Sequence, residues 1–139
     1  MVTRPAPGGI PALASEADFQ RLVLRLARDL GWDDRGWERR VEEVEMYSRH
    51  SGDAAALEDA SALAGLAFHP RFSVGSEAGW PDLVLLRRRD GRALFRELKT
   101  DRGRLTARQA AVIGLLRACG LDAGVWRPSM LDEIAEELR

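Results

Sequence analysis

One cysteine, Cys119, is all that this chain of 139 residues contains. A lone thiol closes no intramolecular disulfide and builds no zinc site that needs several cysteines. It falls on the apolar side of an expected helix and reads as buried and inert, in keeping with a reducing cytoplasm. Long apolar runs are also missing: none approaches the roughly 18 residues that a membrane span needs. The N-terminus has no signal-peptide pattern, and no membrane partner is expected. Internal repeats are absent, and biased composition is confined to a Pro- and Gly-rich stretch, so residues 1–12 read as a disordered lead-in. Nor is there a bulk excess of either charge. Lys and Arg number 21 against 22 Asp and Glu, a formal net charge of −1, which at first argues against a polyanionic partner. What remains is ordinary: 45% hydrophobic and 31% charged residues, in a length that gives one domain a real core.

The distribution of charge argues the other way. Arg87, Arg88, Arg89, Arg92, Arg96, Lys99, Arg102, Arg104 and Arg108 face only Asp90, Glu97 and Asp101, an excess of six positive charges. Residues 33–60 carry nine acids against four arginines, an excess of five negative charges. The molecule is therefore expected to be bipolar. Its basic side could supply the phosphate contacts that dominate nucleic-acid affinity, although a basic run is by itself more often a solvated face.

Periodicity gives the element order. Ser15 is a good N-cap for a helix whose Phe19, Leu22, Val23, Leu26, Ala27 and Leu30 recur at helical spacing, with Gly31 closing it. A second helical pattern covers about 37–49, with Trp37, Val41, Val44 and Tyr47 on one face, and Asp53 caps an Ala-rich helix over roughly 54–65. Ala67 to Val74 reads as a strand, followed by a hairpin of strands 81–88 and 93–100. Thr106 caps a helix over 107–119 whose broad apolar face runs from Ala110 to Cys119. Ala123 to Trp126 is a short strand, and Ser129 caps a last helix. Trp32, Trp37 and Trp126 read as core, and Trp80 as near the mouth of a site.

The hairpin carries the chemistry. Asp90-Gly91 between apolar runs is a strong signal for a type I′ turn. With those two as the turn, paired residue numbers sum to 181, Asp82 lies opposite Lys99, and Glu97 is diagonal to Asp82. Glu97 and Lys99, two apart on a strand, share a face. One face of the hairpin then holds Asp82, Val84, Leu86, Phe95 and Glu97, and the other Leu83, Leu85, Leu94 and Leu98, as for a central sheet covered on both sides. Three charges at the end of an apolar hairpin need a compensating ion or substrate. Two carboxylates are hard oxygen ligands for Mg²⁺, and the metal acidifies a bound water and neutralises charge growing on a phosphate. Lys99 suits stabilising that charge or orienting the water. The plainer alternative is a strand-end salt bridge between Lys99 and Asp82 or Glu97.

Gly79-Trp80-Pro81-Asp82, Glu97-Leu98-Lys99-Thr100-Asp101, Gly103-Arg104-Leu105-Thr106, Gln109 and Val125-Trp126-Arg127-Pro128 together resemble the VRR-NUC (virus-type replication-repair nuclease) family of the PD-(D/E)xK superfamily. The resemblance covers about residues 14–32 and 67–139. It implies an α/β fold, an αβββαβ core with a mixed central sheet flanked by helices, over residues 13–139. Residues 33–66 then look like a helical insertion, which in larger relatives affects dimer formation and leaves a homodimer open here. It implies that Asp82, Glu97 and the backbone carbonyl of Leu98 hold Mg²⁺ or Mn²⁺, that Lys99 is the catalytic lysine and that Gln109 supports the site. Glu16 fits the place of a further glutamate on the family's first helix and would join the metal site. The expected activity is metal-dependent endonucleolytic hydrolysis of DNA, with branched, junction or flap structures and a role in replication, repair or phage DNA processing left open. Arg102, Arg104 and Arg108 are candidate phosphate contacts, as is His69, for which a structural role is the favoured reading. Asp101 reads as water-mediated support or as a loop cap. The cytoplasm would be that of a bacterial or phage-infected cell. A non-catalytic nucleic-acid-binding module on the same fold is the alternative, against which the intact Asp82, Glu97 and Lys99 set argues. A sequence-specific restriction-type enzyme is a third, though nothing resembles a domain for reading base edges.

Overall fold

A computed structural model describes residues 15–34, 36, 38–40, 42–43, 45–46, 63–70 and 79–139. Helix α1 (Glu16–Asp29) begins where the Ser15 hydroxyl accepts the Asp18 amide and ends at Leu30, with Gly31 in the left-handed region. Its buried residues, Phe19, Val23 and Ala27, are three members of the stripe legible in the sequence. After it the order is β1 (Gly65–Phe68), β2 (Leu83–Arg87), β3 (Arg92–Leu98), α2 (Ala107–Ala118), β4 (Asp122–Trp126) and α3 (Leu131–Leu138), the last entered through a 3-10 turn at Pro128–Met130. The four strands form one mixed sheet in the order β1-β2-β3-β4, antiparallel except for the β3–β4 pair. A parallel pair needs a crossover, and α2 is that crossover.

Side-chain alternation sorts the sheet's two faces. Leu83, Leu85, Leu94, Leu98 and Trp126 pack with α1, Trp32 and the α3 residues Ile134 and Leu138. On the other face Phe95, Ala123 and Val125 pack with Ile113 and Leu116 of α2 and with Trp80. Trp32 and Trp126 are core as expected.

The hairpin register differs from the expected one. Leu83 pairs with Arg96 and Arg87 with Arg92, so paired numbers sum to 179 and Arg88 to Gly91 form a four-residue loop. Gly91 alone has positive φ there (64°), and its N–H donates to the Arg88 carbonyl. A type I′ turn needs positive φ at Asp90 too, and Asp90 does not have it. Asp90 instead holds Arg87 with both carboxylate oxygens, at 3.0 and 2.7 Å. The slip is by two residues, an even number, so every side chain keeps its face.

Other differences are local. The first strand starts at Gly65, where the Ala-rich helix was expected to end, and stops at Phe68; positions 71–74 lie outside the described residues. The described positions between 38 and 46 are helical, whereas Trp37, Val41, Val44, Tyr47 and the rest of the expected insertion through 62 lie outside them. Helix α2 buries only Ile113 and Leu116. Ala110 and Cys119 are exposed, and Leu115 is 65% exposed, rather than part of a broad buried face. Ser129 does not cap α3: it sits inside the 3-10 turn, and its amide donates to Asp101 at 3.0 Å. No helix among the described residues is long and apolar enough to cross a membrane.

Candidate metal and nucleic-acid site

Asp82 immediately precedes β2, and Glu97 lies one residue before the end of β3. In the observed register these two oppose each other, with Lys99 displaced beyond the strand end rather than facing Asp82. The Asp82 carboxylate accepts the Leu98 amide at 2.8 Å, which ties it to the end of β3. Glu97 is 2% exposed. One of its oxygens, Oε1, accepts from the Gln109 side-chain amide at 2.8 Å and lies 3.4 Å from Lys99 Nζ. The other, Oε2, is buried and has no hydrogen-bond partner among the described residues. Burial, and after it the neighbouring Asp82 carboxylate, pushes the Glu97 carboxyl up to about 7 against the pull of Lys99.

The first turn of α2 braces both acids. Thr106 and Gln109 form a reciprocal capping box, and Gln109 reaches on to Glu97. Gly79 has φ 102°, and a Cβ there would stand 2.8 Å from the Arg108 backbone. Only glycine lets the segment leading to Asp82 lie this close to α2. Pro81 is fully buried, and Trp80 meets the Phe95 ring edge-on at 5.9 Å.

The remaining expected residues separate. Glu16 is half exposed, with its carboxylate 4.0 Å from Lys99 Nζ, so α1 delivers it to the lysine side of the site. Among the described residues no three of His, Cys, Asp and Glu converge as a metal cluster, and the carboxylate pair stands without Glu16 in it. Exposed His69 has Nδ1 2.6 Å from the Asp82 carbonyl oxygen, an acceptor, so Nδ1 carries the proton. Arg102, Arg104 and Arg108 are exposed. Asp101 caps the Ser129 amide, which holds its carboxyl below the usual range.

Sequence reasoning gave no role to Arg127, although it stood in the Val-Trp-Arg-Pro run. Its guanidinium donates to the Thr100 and Gly103 carbonyls at 2.6 and 2.7 Å and pins the turn that carries Arg102. The basic run also divides. Arg87 (3% exposed) and Arg96 (4%) are buried. Arg87 donates to the Leu138 carbonyl, Arg92 to the Glu137 carbonyl, and Arg96 pairs with Asp122 and Glu137. Arg87 also lies 4.1 Å above the Trp32 ring.

Opposed carboxylates with a lysine beside them, at the end of a central strand, form a site suited to phosphodiester hydrolysis. A family model of the VRR-NUC domain matches residues 27–130, most of the chain, and the chain belongs to that family. The family implies a nuclease-type function with DNA as substrate. The match takes in Asp82, Glu97, Lys99, Gln109 and Arg127, and begins after Glu16. No curated protein and no solved structure matches the chain.

Proposed function

We propose that the chain is a Mg²⁺- or Mn²⁺-dependent DNA endonuclease of the PD-(D/E)xK type. The observation that carries this reading is Glu97 Oε2, a buried carboxylate oxygen beside a second carboxylate and with no hydrogen-bond partner among the described residues. Burying an unpaired anionic oxygen is costly, and a hard divalent cation is the partner that such an oxygen beside a second carboxylate fits. Asp82, Glu97 and the Leu98 carbonyl would hold the ion, which when bound supplies an acidified water and neutralises phosphate charge.

The chain's own residues do the rest. Lys99, held between Glu97 and Glu16, offers its ammonium to charge developing on a phosphate oxygen. Gln109 fixes the rotation of the Glu97 carboxylate, and His69 holds the Asp82 backbone. Arg102, Arg104 and Arg108 contact the phosphate backbone around the scissile bond.

The test is incubation with labelled junction, flap, single-stranded and duplex DNA, with Mn²⁺ or Mg²⁺ and with EDTA. Cleavage that requires the metal is expected, and the panel ranks the DNA structures. DNA binding without metal-dependent cleavage of any member would establish the binding module instead.

A further inference from the structure

We propose that Thr106 is the positioning residue that leaves Glu97 a single open oxygen; the proposal rests on the metal-nuclease reading above. A glutamine side chain has one acceptor oxygen and one donor nitrogen, and a backbone N–H can only donate. The Thr106 N–H lies 2.9 Å from Gln109 Oε1. The oxygen must therefore face Thr106, and the Gln109 nitrogen is left to face Glu97, where it donates to Oε1 at 2.8 Å. Turning the amide over would set N–H against N–H on one side and oxygen against carboxylate on the other. Oε1 also has Lys99 at 3.4 Å, so it is occupied twice, and Oε2 alone remains for a ligand. The helix start thus decides which oxygen Glu97 presents.

Thr106 has two separable roles. Its hydroxyl accepts the Gln109 amide at 3.2 Å and caps α2, which is a stability role. Its N–H orients the Gln109 side chain, which is the role proposed. Its φ of −71° is close to proline's fixed value of about −65°, so proline at 106 removes the N–H without straining that torsion. Thr106→Val removes the hydroxyl and keeps the N–H.

The experiment measures Mn²⁺ affinity of the full chain by calorimetry, without DNA, for the wild type and for Thr106→Pro, Thr106→Val and Thr106→Ser, together with melting temperatures. Thr106→Pro should bind Mn²⁺ about tenfold more weakly or worse, while Thr106→Val melts lower yet binds within about threefold of wild type. Thr106→Ser should match wild type in both. Wild-type affinity in Thr106→Pro, or an equal loss in Thr106→Val, would overturn the proposal. Amide exchange in the wild type and Gln109→Met decides the matter if Thr106→Pro does not fold. The Thr106 amide should be protected in the wild type and released in Gln109→Met; equal exchange in the two overturns it. If the wild type takes up no Mn²⁺, the metal reading falls, and the same exchange comparison still judges the amide orientation.

Discussion

At the scale of single residues, Glu97 shows how a buried carboxyl in a candidate site can work against the fold that carries it. Its folded-state pKa of about 7 stands above the ordinary 4.5, because the buried carboxylate is disfavoured beside Asp82. The native state therefore binds this proton more tightly than the unfolded chain. Stability from this group is fully present below pH 4.5, is lost as pH rises through about 7, and is flat beyond. Chemical denaturation in EDTA should show that decline, and Glu97→Gln should flatten it. Mn²⁺ favours the charged form, so the decline should shrink or reverse when the metal is present. A wild-type profile as flat as that of Glu97→Gln would count against a buried Glu97 carboxylate pressed by Asp82. For catalysis, Glu97→Gln and Asp82→Asn should each lower cleavage by at least about a hundredfold, roughly 2.7 kcal/mol of barrier. Asparagine is the better choice at 82 because its oxygen can still accept the Leu98 amide, a bond that alanine would break. Near-wild-type cleavage by either variant would remove that residue from the site.

Elements explain what the sequence could and could not reveal. Asp82 and Glu97 were readable as one face of a hairpin because face depends only on parity, and the two-residue register slip preserves it. The slip itself was not readable. It follows from Arg87, whose guanidinium grips Asp90 and reaches Leu138, 51 positions away, and no local signal announces where the end of α3 will land. The same applies to Arg92 and Arg96, which looked like surface charge and serve the α3 carbonyls and the acids around them. Cys119 and Leu115 misled for a related reason: helix periodicity shows an apolar face, but not how much sheet lies beneath it. Arg87→Met tests this account of the hairpin tip. It loses the Asp90 pair, the Leu138 bond and the stacking on Trp32, so unfolding free energy should drop by about 2–4 kcal/mol. Cleavage measured well below the melting temperature should stay near wild type. A neutral effect on denaturant stability would mean that α3 is held by its apolar contacts and its other polar ties without help from Arg87.

At the scale of the whole molecule, the proposed phosphate path uses less than the basic run and lies at one end of the described sheet. The tip residues Arg87 to Arg92 are separated from Asp82 by the length of β2, about five residues or roughly 16 Å. Arg88 and Arg89 are exposed, but their guanidinium groups already donate to the carbonyls of Leu63 and Arg139. Arg102 and Arg104 follow the site lysine in a segment that Arg127 pins to the β4–α3 junction, and Arg108 stands in the α2 turn that touches Gly79. On the proposed reading, a DNA strand with a phosphate at Asp82 and Glu97 is expected to depend on these three more than on the tip. Each phosphate contact on duplex DNA contributes about 0.9 to the slope of log affinity against log salt. Replacing Arg102, Arg104 and Arg108 by alanine should therefore flatten that slope by about 2.7 across unrelated DNA sequences. The double replacement of Arg88 and Arg89 should leave it unchanged. Equal losses from the two sets would mean that the phosphate path runs along the whole hairpin. A loss from the triple variant on one base sequence only would point to direct readout of base edges.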